Sequence, residues 1–213
     1  MIGDSGGLMP KDKTENHEKI IVAAYDEFLT YGFNDASMRR IAEACEMSAS
    51  GLYKHFPSKE EMFAALVEPA YEGLKQRFLE IAEKDIHKID ESFTEKSWEE
   101  SDDSLWVIKY IYDNYQAFKL LVCRSQGTRF ENYQHELATL SEKSTLQYMK
   151  ELKKNGIKVK KHSAKELHLF VTMNVHAIFL IVEHDFTKKE ALKYARNLDA
   201  YNIAGWEKLF LDK

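Results

Sequence analysis

The residues in this chain best suited to chemistry lie between positions 37 and 59. Ser37, Arg39, Arg40, Ser48, Ala49, Ser50, Gly51, Tyr53, Lys54, His55 and Lys59 bring together hydroxyls, guanidinium groups, ammonium groups, an imidazole and a run of small side chains. Nothing in that set pairs a nucleophile with a base. What it offers is hydrogen bonding and ion pairing: Arg39, Arg40 and Lys59 can clamp phosphates, while Tyr53, Lys54 and His55 can reach the edges of bases. Backbone and phosphate contacts of this kind position a protein on a duplex, and base contacts supply the specificity. Between Arg39 and Lys59 there are four basic residues and two acids, a local basic patch.

Two short helices joined by a tight turn would place these groups on one surface. Ser37 is a good cap for a helix over MRRIAEAC, with Met38, Ile41, Ala42 and Cys45 inward. Glu46-Met47 makes the turn, and Ser48 caps a third helix through Phe56, whose Leu52 and Phe56 face in. That spacing is a helix-turn-helix. The second of the pair must enter the major groove, which Ser48-Ala49-Ser50-Gly51 permits by keeping its start small. Its N-terminal amides can also face a phosphate. Ahead of it, Ile20, Ile21, Ala24 and Phe28 recur along one face from about Asn16 to Tyr31, with Gly32 as the stop. Behind it, Pro57 ends the third helix, and Ser58 with Glu61 opens a fourth that runs past Pro69, a potential kink.

The rest of the chain reads as long helices, so the expected fold class is all-α. Only three prolines and nine glycines occur in 213 residues, four of the glycines before position 33. Helical patterns run from Ser104 to Val122 and from Asn132 to Lys154. Two more open at the capping boxes Ser163/Glu166 and Thr187/Glu190. The acidic stretch Asp90 to Asp103 reads as a loop or frayed helix end, and MIGDSGGLMP as a flexible tail lacking the features of a signal peptide. No stretch approaches about 20 consecutive apolar residues, and no membrane partner is expected. Cys45 and Cys123 are far apart without metal-type spacing; they fit small buried side chains in a reduced cytoplasm. His168, His176 and His184 recur every eight residues, about 12 Å along a helix, too far apart to share one ion. Neither metal nor cofactor is expected. Glycine-rich phosphate loops, GxSxG, HExxH and CxxC are all missing, which argues against catalysis.

Net charge qualifies the basic patch. The chain carries −5 overall, and residues 1–68 hold 7 basic against 12 acidic side chains. Attraction to a polyanion must therefore come from the patch and not from the whole domain.

Residues Lys19 to Leu66 closely resemble the N-terminal domain of the TetR (tetracycline repressor-like) family of bacterial regulators. The matching runs are KIIVAAYDEFLTYGF and SMRRIAEACEMSASGLYKHFPSKEEMF, most specifically Leu52-Tyr53-x-His55-Phe56-x-Ser58-Lys59-Glu60. The resemblance implies that Ser37 caps the second helix and touches phosphate. It makes Ser48 to His55 the recognition helix, Tyr53 a phosphate contact, and Lys59 the lysine that reaches the backbone. Two departures, Ala36 for a frequent threonine and Ala49-Ser50-Gly51 for Lys-Gly-Thr or Lys-Gly-Ala, imply modest, salt-sensitive affinity.

It further implies three parts: a tail at 1–13, a helix-turn-helix domain at 14–63, and a helical effector-binding and dimerisation domain at 64–213. The expected function is a ligand-responsive transcription regulator, a repressor released from its double-stranded DNA operator by a small-molecule effector. The alternative is an adaptor that keeps the fold, binds a protein partner and has lost DNA binding. A homodimer through the last two helices is expected, because the helix at Leu167 to Val182 is apolar on most sides and must be covered. The final helix would cover one side and a partner subunit another. Aromatic side chains are plentiful; Trp106, Tyr110, Tyr148 and Phe170, with Asn174 and His176 as polar groups, are the candidates for an effector pocket.

Overall fold

A computed structural model describes residues 11–89 and 103–211. The expected tail before Lys11 and the acidic stretch 90–102 lie outside the described residues. Nine helices and no strand occur among those described: α1 (Lys11–Asp35), α2 (Met38–Ala44), α3 (Ala49–His55), α4 (Lys59–His87), α5 (Asp103–Asp113), α6 (Tyr115–Arg124), α7 (Tyr133–Lys154), α8 (Ala164–Glu183) and α9 (Lys188–Phe210).

Local sequence accounts for most of these boundaries. Ser37, Ser48 and Ser58 each accept a hydrogen bond from the backbone N–H three residues on, as helix caps do. Ser163/Glu166 and Thr187/Glu190 form complete capping boxes at the starts of α8 and α9. Gly32, at φ 73° and ψ 171°, breaks α1 one turn before its end. Glu46 turns the chain between α2 and α3 at φ 57°, a conformation side chains rarely adopt.

One of the expected helices needs correcting. The helix expected over Ser104 to Val122 is two helices that meet at Asn114 (φ −122°, ψ 34°), whose side-chain amide donates to the Tyr110 carbonyl. Asparagine competes for backbone groups in this way and favours breaks. The fourth helix runs past Pro69 as expected, a single element of 29 residues with the proline inside it.

Ile20, Ala24, Phe28, Ile41, Leu52, Met62 and Phe63 are almost fully buried and form the core between α1, α2, α3 and the start of α4. Phe63 stands edge-on to Phe28 and Phe33 and extends this core toward Phe130 in the α6–α7 connection. In the larger unit α8 packs along α7 and α6, α4 meets α5, α6 and α7, and α9 lies along α5. The final helix therefore does not cover α8 lengthwise as expected. It reaches α8 at its two ends, through Tyr194 Oη donating to the Ala177 carbonyl and through Phe210 against Leu167 and Val171.

An exposed stripe remains on α8: Leu169 (67% exposed), Met173, His176 and Leu180, with Tyr201 (65%) outward on α9. By composition α8 is also long and apolar enough to cross a membrane, with a mean hydropathy of 1.4, which corrects the expectation that nothing approaches a span. Its inner face packs within the helical unit. Cys45 and Cys123 are free thiols, half-buried rather than fully buried.

Candidate nucleic-acid interface and effector cavity

Glu27 organises the base of the helix-turn-helix. Its carboxylate, only 8% exposed, accepts from the Ser37 backbone N–H at 2.8 Å and from Arg40 Nε at 2.8 Å and Nη2 at 2.5 Å. Arg40 also donates to the Asp35 carbonyl and lies over the Tyr31 ring at 4.3 Å. Its guanidinium is thus held by α1, and the carboxylate beside it raises its pKa further above the ordinary arginine value. Lys59 is similarly engaged: Nζ donates to the carbonyls of Asn34 and Ala36 at 2.9 and 3.1 Å and sits over the Phe33 ring. Two of the three basic groups expected as phosphate clamps thus tie the α1–α2 connection to its neighbours. Arg39 is different; it projects from α2 with its side chain 84% exposed, paired among the described residues with Glu43 one turn on.

On α3 the structure divides the expected contact residues by face. Ser48, Ser50, Tyr53, Lys54 and His55 are exposed, Ala49 and Gly51 half-buried, and Leu52 fully buried. Ser48 Oγ accepts from the Gly51 N–H at 3.1 Å and lies 3.1 Å from Ser50 Oγ. A side chain at Gly51 would place its Cβ 3.2 Å from Ser48 Oγ, so this glycine lets the cap close. The exposed face of α3 is a strip of hydroxyls ending in Lys54 and His55, small at its start and longer toward its end.

The α6–α7 connection holds the smaller unit against the larger. Arg124 Nε donates to the Leu29 carbonyl at 2.7 Å. Arg129 donates from its backbone to Glu60 and from its guanidinium to Glu61 and Glu68, all on the first turns of α4. Behind them Tyr71 Oη donates to Glu136 at 2.8 Å, and burial with that carboxylate pushes the phenol's pKa well up.

A cavity of about 410 Å³ opens inside the larger unit, between α4, α5, α7, α8 and α9. Its walls are mostly apolar, with Phe78, Phe179, Trp206 and Phe210 among them. Of the expected pocket residues, Tyr148 and Asn174 line it; Trp106, Tyr110, Phe170 and His176 do not. Trp106 and Tyr110 stack on each other at 5.2 Å, and Tyr110 donates to the Ala70 carbonyl against Gly73. His176 is exposed because it points almost oppositely to Asn174 and Ile178 on α8. Sequence reasoning missed the polar lining: Ser141, Ser144 and Thr145 on α7, Asn202 and Asp199 on α9, Asp85 on α4 and Lys88 just past its end. The spacing of Ser141, Ser144, Thr145 and Tyr148 puts four hydroxyls on one helix face, a signal that was present in the sequence. Among the described residues no group of three histidine, cysteine or carboxylate side chains could hold a metal.

These features define an all-α protein with a helix-turn-helix unit joined to a helical unit that encloses a cavity. Residues 20–66 match the family model described as bacterial regulatory proteins, tetR family. The HTH-type transcriptional regulator UidR of Escherichia coli is 35% identical over 82 residues, covering 38% of this chain and 41% of UidR. The chain thus aligns with less than half the length of that curated relative. Among solved structures, NalD of Pseudomonas aeruginosa, titled the secondary repressor of a multidrug efflux pump, superposes with a TM-score of 0.61. It shows 14% identity and covers 95% of this chain and 99% of NalD. FadR of Bacillus subtilis, solved with stearoyl-CoA, gives a TM-score of 0.55 at 13% identity over 89% of this chain and 98% of its own. At these identities the structures establish that the two-part helical fold is shared.

Proposed function

We propose that this protein is a DNA-binding transcription regulator that acts as a homodimer and releases its operator when a small molecule fills the cavity. The observation that carries the reading is α3: a capped helix with a buried Leu52 on one side and an exposed row of Ser48, Ser50, Tyr53, Lys54 and His55 on the other. In the bound state that row faces the major groove. Arg39 contacts phosphate beside it, and Ser37, Arg40 and Lys59 hold the frame, with any phosphate contact from them secondary. Ala49 and Gly51 allow close approach.

Dimerisation follows from the reach of a single module, which reads too few bases, whereas paired modules meet half-sites about one helical turn or more apart. The apolar stripe Leu169, Met173 and Leu180 with Tyr201 on α9 is the surface we assign to the partner subunit. The cavity lies against α4, whose first turns are tied to the α6–α7 connection by Arg129, so a ligand that moves α4 moves the helix-turn-helix. Such a ligand shifts the equilibrium only by its preference for the released arrangement. Selection of bound sequences from a random DNA pool by the full chain tests the reading. A two-fold symmetric pair of half-sites is the expected product; recovery of no sequence above background contradicts it.

A further inference from the structure

The polar groups lining the cavity fall into two classes. Charged groups are already engaged: Asp85 and Lys88 are 2.8 Å apart, and Asp199 has an interaction partner of its own. Among the neutral groups Thr145 and Tyr148 are engaged as well, and four others are not. Ser141 and Ser144 on α7, Asn174 on α8 and Asn202 on α9 all line the cavity half-buried, and none makes a side-chain hydrogen bond among the described residues. Two threonines on the same helix show what idle hydroxyls there normally do: Thr139 and Thr145 donate to carbonyls four residues back, at 2.9 and 2.8 Å. Ser141 and Ser144 leave that option unused.

Water can bond polar side chains that line a half-open cavity, and a ligand that displaces that water must bond them in its place. Here the open valences are hydroxyls and carboxamides from three different helices, and they converge on one space. Hydroxyls and amides both give and accept hydrogen bonds, so they match a ligand whose own groups do both. Facing them, α4 contributes the apolar side chains of Leu74, Phe78, Ile81 and Ala82, with Asp85 and Lys88 at the end of that wall. A charged head entering this cavity would have to compete with the Asp85–Lys88 pair for a counter-charge and would give up hydration to do so.

We infer that the cavity takes an uncharged amphiphile, with an apolar body against α4 and two or more hydroxyl or carbonyl oxygens along one edge, bonded by Ser141, Ser144, Asn174 and Asn202. Long-chain carboxylates and phosphorylated ligands are poor occupants. This rests on the cavity being the effector site, and the test separates the two claims.

Calorimetric titration of the full chain with octyl β-D-glucoside, octyl phosphate and octyltrimethylammonium holds the tail constant while the head changes. The uncharged probe is expected to bind at least about tenfold more tightly than either ion, the worth of one or two satisfied hydrogen bonds. Replacing Ser144→Ala together with Asn202→Ala should weaken the glucoside about tenfold and leave the ions unchanged. Ser144→Trp or, from another wall, Asn174→Phe fills the cavity and should abolish binding while the thermal melt shows the chain folded. Tighter binding of an ion that either filling variant abolishes overturns the ligand class and leaves the site standing. Failure of the glucoside to bind overturns the class as well. Binding unaffected by both filling variants overturns the site and the class together.

Discussion

The two ends of the molecule treat polar side chains in opposite ways. Around the helix-turn-helix, Glu27, Ser37, Arg40 and Lys59 are each bonded to backbone or to one another, so the joints between α1, α2 and α4 are fixed. Around the cavity, Ser141, Ser144, Asn174 and Asn202 have nothing to bond among the described residues. The first arrangement presents a rigid strip on α3; the second leaves a space whose contents decide how it is satisfied. Groups tied within the chain serve shape, and the untied ones are those we propose meet a ligand.

Substitutions can break this contrast. The largest effect is expected at Leu52, fully buried between α3 and the core: Leu52→Ala should cost about 2–5 kcal/mol in chemical denaturation and remove operator binding with it. Glu27→Gln comes next. It leaves the Arg40 guanidinium without its counter-charge and weakens the bond to Ser37, for a loss of about 1–2 kcal/mol after allowing for the exposure of Arg40.

Acid acts on the other region. Hydrogen bonds from the Ser163 backbone and side chain, and from the Thr187 side chain and backbone, hold Glu166 and Glu190 below the ordinary carboxylate value of 4.5. A carboxyl whose pKa is depressed by folding stabilises fully above its unfolded value and loses that contribution as pH falls through the folded one. Thermal melts should therefore drop below pH 4.5 more steeply for the parent than for Glu166→Gln with Glu190→Gln. Parallel curves would mean that the capping boxes contribute nothing. The smallest effect on stability belongs to the cavity. Ser144→Ala should change the unfolding free energy by no more than about 0.5 kcal/mol, since no bond within the chain is lost. A loss as large as that of Glu27→Gln would erase the contrast between the regions.

The same contrast explains what could be read from the sequence. Helix starts at Ser37, Ser48, Ser58, Ser163 and Thr187 are local events, set by a hydroxyl and the backbone three residues on, and each is where spacing placed it. The inward and outward faces of α3 follow from its own periodicity. Roles that depend on distant partners were hidden. Arg40 and Lys59 look like phosphate clamps until Glu27 and the Asn34 carbonyl are seen beside them. Trp106 and Tyr110 look like pocket aromatics until they are found packed on each other and on Ala70, away from the cavity. Which of many apolar faces encloses a space depends on how α4, α7, α8 and α9 pack, and no single helix carries that information. The hydroxyl row on α7 was the one local trace of it.

The central claim is that exposed groups on α3 read DNA, and salt-dependent binding tests it most directly. Fluorescence anisotropy of the full chain on the DNA upstream of its own gene, from about 50 to 200 mM salt, should give a steep linear fall of log affinity with log salt. Lys54→Ala should shallow the slope by up to about one unit if its ammonium meets a phosphate, and Tyr53→Ala should weaken binding with the thermal melt unchanged. No binding at low salt, or binding that neither substitution alters, would contradict the account.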